Sequence, residues 1–140
     1  MELTYREMVI ADYDESHALW LKTEGMVLSE ADSREEIAGY LARNPDCSFV
    51  CEDSGGQVVG TILGGHDGRR GFIYHVAVSQ DQRGKGIGGQ LVKRSLDKLR
   101  EAGIQKCHLF VLENNEIGNR FWARSGWTRR SGIALFSTDT

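Results

Sequence analysis

Proline is nearly absent: Pro45 is the one example in 140 residues, and no repeat, low-complexity tract or linker interrupts the chain. That length suits one domain with a respectable core. Long apolar runs are missing too. None approaches the ~20 residues of a membrane span, and the opening Met1–Glu7 is too charged for a secretory leader, so no membrane partner is expected. Cysteines are few and odd in number: Cys47, Cys51 and Cys107. They lack framework spacing, and Cys47 and Cys51 stand four apart with no His or Cys partner nearby, so neither a disulfide scaffold nor a metal site is expected. All three lie in strand-like runs and read as buried free thiols, which favours a reducing cytoplasm. Charge of one sign is not in excess either. A net charge of −3 argues against a general nucleic-acid surface.

What is present is an ordinary globular balance, 40% apolar and 26% charged. Leu3 to Ile10 reads as a strand, and Asp12 or Asp14 would cap a helix through about Lys22. Residues 23–32 are a polar connection with no recognisable code. Ser33 and Glu36 form a Ser-x-x-Glu capping box opening a helix to about Arg43, which Asn44-Pro45-Asp46 ends. Cys47–Glu52, Gln57–Gly65 and Phe72–Val78 read as meander strands joined by turns at 53–56 and 66–71. Ile87 to Ala102 is helical: Ile87, Leu91, Val92, Leu96 and Leu99 share one face, and Gly103 closes it. Cys107–Leu112, Asn115–Ser125 and Ile133–Phe136 follow as strand, short helix and last strand. The order β-α-α-β-β-β-α-β-α-β places the chain in the α/β (α+β) class, with a mixed, mostly antiparallel sheet and helices on both faces.

The densest chemical signal runs from Phe72 to Gly89: a β-branched and aromatic strand, a polar turn, then Arg83-Gly84-Lys85-Gly86-Ile87-Gly88-Gly89 opening a helix. Strand, glycine loop, helix start is an arrangement that holds a phosphate on backbone N–H groups. Glycines this near a helix start cost roughly 0.5–1 kcal/mol each relative to alanine, a cost that needs a reason. A P-loop is excluded because Gly84-Lys85 is followed by Gly86 rather than Ser or Thr. A dinucleotide fingerprint is formally present as Gly84, Gly86 and Gly89, with Glu113 near the position of a ribose-binding acid. Its context is wrong: about 80 residues of other structure precede it, and four polar residues separate strand from loop.

Arg83-x-x-Gly86-x-Gly88 also matches the (Gln/Arg)-x-x-Gly-x-(Gly/Ala) signature, and here the chain resembles the GNAT superfamily of acetyl-coenzyme A-dependent N-acetyltransferases. A second piece follows at the right distance: Asn115, Gly118, Phe121-Trp122, then Gly126-Trp127. It is similar to the family's Asn-x-x-Ala-x-x-aromatic-Tyr-x-x-x-Gly-Phe ending, with Gly for Ala and Trp for both Tyr and Phe. The resemblance is sharpest over residues 72–127 and implies acetyl-coenzyme A as co-substrate. The N–H groups of Arg83, Gly84, Lys85, Gly86, Ile87, Gly88 and Gly89 would hold its pyrophosphate. The backbone of Val76, Ala77 and Val78 would hold the pantetheine arm and polarise the thioester carbonyl. Asn115, with Gly118 and Trp122 beside it in the motif, falls on the pantetheine side; as a residue, Asn115 is equally a helix N-cap.

The implied reaction is direct acetyl transfer to an amine, which needs a base for the ammonium proton and an acid for the thiolate. The family's usual acid is Tyr; Trp122 stands there, and an indole N–H donates a hydrogen bond but does not readily lose its proton. The frequent base position is Tyr74, with His75 beside it; strand alternation would put the two on opposite faces. His has the better chemistry for a base and Tyr74 the better position. His66-Asp67 and Arg69-Arg70 read as turn residues, and Trp20 as core. The expected enzyme acetylates a primary amine of a small molecule or peptide. A protein N-terminal acetyltransferase of the ribosomal-protein type and a coenzyme A-binding module with little turnover remain as alternatives. The resemblance also implies that a homodimer is possible.

Overall fold

The computed structural model describes residues 2–140. They form two compact units, one running through Phe110 and the other Val111–Thr140. Among the described residues no helix is long and apolar enough to cross a membrane.

The first unit is built on a five-stranded sheet in chain order. Strands β1 (Thr4–Glu7), β2 (Phe49–Glu52), β3 (Val58–His66) and β4 (Gly71–Val78) pair antiparallel. Strand β5 (Cys107–Leu109) joins β4 in parallel. The crossover between them is helix α3 (Ile87–Glu101), as a parallel pair requires. Helices α1 (Tyr13–Leu21) and α2 (Arg34–Arg43) connect β1 to β2. The mixed, mostly antiparallel sheet is as the sequence pattern predicts.

Helices cover both faces, and β3 shows why. Its residues alternate between two neighbours. Side chains placed at Gly60 and Gly64 would run into α3: a β-carbon at Gly60 would lie 2.8 Å from Ile87, and one at Gly64 would lie 2.7 Å from Ser95 Oγ. On the other face Thr61 accepts the Trp20 indole N–H of α1, and a β-carbon at Gly65 would lie 2.6 Å from the Tyr40 hydroxyl of α2. Glycine in β3 therefore buys close approach of helix to sheet. The core on the α1/α2 face gathers Met8, Tyr13, Trp20, Ile37, Val50 and Leu63.

Three local expectations change. Asp12 does precede α1, but its carboxylate does not cap that helix; it accepts two bonds from Arg6 and one from the Val9 N–H. The connection at 23–32 holds a 3-10 turn, Glu30–Asp32, capped reciprocally by Ser29 and Asp32. Cys107 is half-buried rather than buried, while Cys47 and Cys51 are buried.

The second unit is organised on helix α4 (Glu116–Arg124), and Gly126 follows with a φ of 88°. The strand expected at Ile133–Phe136 is absent. Its apolar residues are exposed, Phe136 by 90%. Alternation over four residues pairs no backbone groups by itself; a strand needs a ladder to join.

Candidate active site

Strand β4 has an open edge. Its pairing with β5 spans Gly71, Phe72 and Ile73 and then stops, so Tyr74–Val78 pair on the β3 side alone. A β-bulge interrupts that pairing between Thr61↔Ala77 and Leu63↔Tyr74, so His75 and Val76 together oppose Ile62. The extra residue is His75, which adopts a left-handed φ of 50°. Its carbonyl accepts the Thr61 hydroxyl at 2.9 Å.

The bulge corrects the expectation for the two base candidates. Tyr74 and His75 do not lie on opposite faces; both reach the α1/α2 face. Tyr74 meets the Tyr40 ring of α2 edge-on at 6.4 Å, and His75 meets the Trp20 ring of α1 at 4.7 Å. A one-residue bulge adds a step to the alternation, which period-2 reasoning cannot foresee. His75 Nε2 lies 2.6 Å from Asp32 Oδ1, and both side chains are largely enclosed. Burial pushes the Tyr74 phenol above its ordinary range. At neutral pH Tyr74 is therefore a hydrogen-bond donor, not a base. Phe72 stacks on Tyr74 and on Phe110, extending an aromatic row along that face.

After β4 the chain makes a 3-10 turn, Gln80–Gln82, and enters the glycine loop. Gly84 and Gly86 have φ values of 82° and 80°, which only glycine adopts freely. The first bond of α3 runs from Gln90 N to Gly86 O. Among the described residues no acceptor takes the N–H groups of residues 84–89. Six unpaired donors thus lie at the positive end of a fifteen-residue helix. Side chains at Gly84, Gly86 and Gly89 would meet nothing within 4 Å, so the space over the loop is open. Gly89 needs neither a positive φ nor room inside the fold, so its missing side chain matters only to something outside. Donors, dipole and open space fit a pyrophosphate.

The two cations of the loop are already engaged. Arg83 Nε donates to the Val78 carbonyl at 3.1 Å, and its Nη2 pairs with Glu24 at 2.6 Å. Lys85 Nζ donates to Gln82 Oε1 at 2.8 Å. That leaves the backbone N–H groups, rather than side-chain charge, as the free donors of the loop.

In the second unit Asn115 is the N-cap of α4, accepting from Gly118 N at 3.0 Å. Gly118 is glycine because Asn115 lies over it: a β-carbon there would sit 2.7 Å from the amide nitrogen. Asn119, which the sequence reading did not single out, ties the same turn by donating to the Leu112 and Asn115 carbonyls. Trp122 packs edge-on against Phe121 and Trp127 at 4.9 and 5.0 Å. Glu113, the acid a dinucleotide site would use, is exposed beside Arg129. His66, Asp67 and Arg70 build their own turn, as expected.

The sequence reading missed Asp32 and Glu24 because both sit in the connection it found featureless. A Ser-x-x-Asp pattern at 29–32 was the one signal available.

An open strand edge runs into a glycine-rich helix start, and comparison with known proteins identifies the family. Residues 9–127 match the family model described as the acetyltransferase (GNAT) family. An acetyltransferase of Sodalis glossinidius is 36% identical over 124 residues, covering 89% of this chain and 86% of that protein. One from Pectobacterium atrosepticum is 35% identical over 105 residues, covering 75% and 73%. Among solved structures, Ard1 from Thermoplasma volcanium superposes with a TM-score of 0.78 at 24% identity, covering 90% of this chain and 82% of that one. AAC(6')-Iy, solved with the bisubstrate analogue CoA-S-monomethyl-acetylneamine, gives 0.76 at 15% identity, covering 100% of both. The chain belongs to the GNAT acetyltransferase family. It is an acetyl-coenzyme A-dependent N-acetyltransferase.

Proposed function

We propose that this protein transfers acetyl directly from acetyl-coenzyme A to a primary amine of a small molecule or peptide, in one cleft along β4. The observation that carries the reading is the continuity of the unpaired edge Tyr74–Val78 with the unpaired N–H groups of residues 84–89. The backbone of Val76, Ala77 and Val78 is assigned to the pantetheine arm and the thioester carbonyl. Gly84, Lys85, Gly86, Ile87, Gly88 and Gly89 are assigned to the pyrophosphate through their backbone; Arg83, expected to join them, instead gives its N–H to the Gln80 carbonyl at 3.4 Å, closing the 3-10 turn. Asn115, Gly118 and Trp122 are assigned to the pantetheine side on motif resemblance.

For the chemistry, an oxyanion forms as the amine attacks, and a backbone N–H at the β4 edge stabilises it. Trp122 is assigned a hydrogen bond to the departing thiolate, without proton transfer. His75 is assigned the base and Tyr74 the placement of the amine. The proposed setting is the cytoplasm, where the three free thiols stay reduced.

The test is calorimetric titration of acetyl-coenzyme A and free coenzyme A, with Gly89→Glu as control, followed by turnover on neamine and on an alanine-starting peptide. Low-micromolar binding lost in the variant, with turnover on either amine, is expected. Binding without turnover on any amine would favour the coenzyme A-binding module. No binding would overturn the site.

A further inference from the structure

Asp32 is held from three sides before it meets His75. Its Oδ2 accepts the Ser29 N–H at 2.9 Å, its own N–H donates to the Ser29 carbonyl at 2.9 Å, and its carbonyl accepts the Tyr13 hydroxyl at 2.6 Å. Only Oδ1 remains, and it lies 2.6 Å from His75 Nε2. His75 is equally fixed. Its carbonyl is taken by Thr61, and its ring is wedged against Trp20, whose own N–H is taken by Thr61.

A carboxylate accepts, so in the neutral imidazole the contact favours the proton on Nε2 and leaves Nδ1 as the acceptor. Among the described residues Nδ1 has no hydrogen-bond partner. The buried side-chain polar atoms without a partner among the described residues are Ser16 Oγ and Tyr40 Oη alone. The His75 side chain keeps 14% of its surface exposed. The residue carrying it directly precedes Val76, on the stretch of β4 that has left β5.

A structural bulge does not need this arrangement. Glycine adopts a φ of +50° without strain, and apolar packing would stabilise the bulge without the cost of burying a carboxylate beside an imidazole. Strained backbone and an oriented imidazole together are typical of functional positions.

We infer that Asp32 is a positioning residue: it fixes the tautomer and orientation of His75 so that Nδ1 serves as the base for the acceptor amine. The inference rests on the acetyl-transfer reading. In the step, the ammonium gives one proton to Nδ1, and the resulting imidazolium keeps its other N–H on Asp32. The amine lone pair forms the C–N bond at the thioester carbonyl, and the C–S bond breaks. The thiolate leaves with that electron pair and takes the second amine proton to become the thiol. The imidazolium then returns its proton to solvent.

The experiment uses the full chain and Asp32→Asn, with His75→Gln to assign the signal. Long-range nitrogen–proton correlation of the histidine rings reads the tautomer. The expected result is a protonated Nε2 with a slowly exchanging N–H in the wild type, lost or broadened in Asp32→Asn. On whichever of neamine or the alanine-starting peptide turns over, the variant should lower kcat about tenfold or more, with KM for acetyl-coenzyme A unchanged. Asp32→Glu should restore part of the kcat. A protonated Nδ1 in the wild type, or Asp32→Asn with wild-type kcat, overturns the inference while leaving coenzyme A binding and wild-type turnover intact. Should Asp32→Asn fail to fold, His75→Gln decides: kcat unchanged overturns it. Wild-type protein that binds coenzyme A but acetylates neither amine overturns the acetyl-transfer reading, and the base role with it.

Discussion

Trp20 donates its indole N–H to Thr61 Oγ1 at 2.9 Å, and that hydroxyl donates onward to the His75 carbonyl at 2.9 Å. Both Trp20 and Thr61 are fully buried. One hydroxyl on the central strand thus anchors a helix and the β4 bulge together. Thr61→Val keeps the shape but strands two buried partners. The expected loss is about 1–3 kcal/mol in urea unfolding. Thr61→Ser should recover most of it; equal losses in both variants would mean that packing, not hydrogen bonding, matters there.

Gly64→Ala tests the approach of sheet and helix. The new β-carbon would lie 2.5 Å from the Cys47 carbonyl, a backbone atom that cannot swing aside. Overpacking of this kind costs about 1–3 kcal/mol. Gly39→Ala, where nothing lies within 4 Å, should be neutral or stabilising in the same melt.

At Gly89 stability and binding should move in opposite directions. Alanine there meets nothing and improves helix propensity by up to about 1 kcal/mol, so Tm should rise slightly. If a pyrophosphate sits on the loop, Gly89→Glu should weaken coenzyme A binding at least about tenfold, about 1.4 kcal/mol. Unchanged affinity in Gly89→Glu would remove the loop from the site.

Tyr74→Phe removes the phenol and keeps the ring. A placement role predicts a fall in kcat/KM of about tenfold on a true amine substrate, near the lower end of what one catalytic hydrogen bond contributes. Wild-type kcat/KM would leave Tyr74 as packing for Phe72 and Tyr40.

Arg6 holds Asp12 by two hydrogen bonds, at 2.7 and 2.9 Å, and Glu52 by a third at 2.8 Å. Burial pushes the Asp12 carboxyl upward, but the Arg6 bonds and the Val9 N–H outweigh it and hold it below its ordinary value. A lowered folded value means stabilisation that is present above the unfolded carboxylate pKa, about 3.9, and is lost as pH falls through the folded one. Arg6→Met should therefore cost about 1–2 kcal/mol at pH 7, moderated by the partial exposure of Arg6. Urea unfolding at pH 7 and below pH 4 should show that difference shrinking in acid.

Much of this was readable from residue order. Gly84 and Gly86 mark a left-handed backbone just before a helix start, a conformation that glycine adopts freely. The hydrophobic spacing of α3, the Ser33 cap of α2 and the meander of β2–β4 follow from periodicity and turn chemistry, all local. Ile133–Phe136 shows the limit of local reasoning: it has a strand's alternation, but ladder bonds come from a neighbour and not from the segment itself.

The sequence by itself determined the family, the glycine loop and the strand that leads into it, because each depends on residues adjacent in the chain. Tertiary structure alone decided which way His75 faces and what it meets. The bulge arises from pairing with β3, and the partner Asp32 lies 43 residues away in a connection without periodicity. It also turned Arg83 away from the cradle, toward Glu24 and the end of β4. Backbone donors are set by local conformation; side-chain partners across 40 residues are set by packing, which no window of sequence contains.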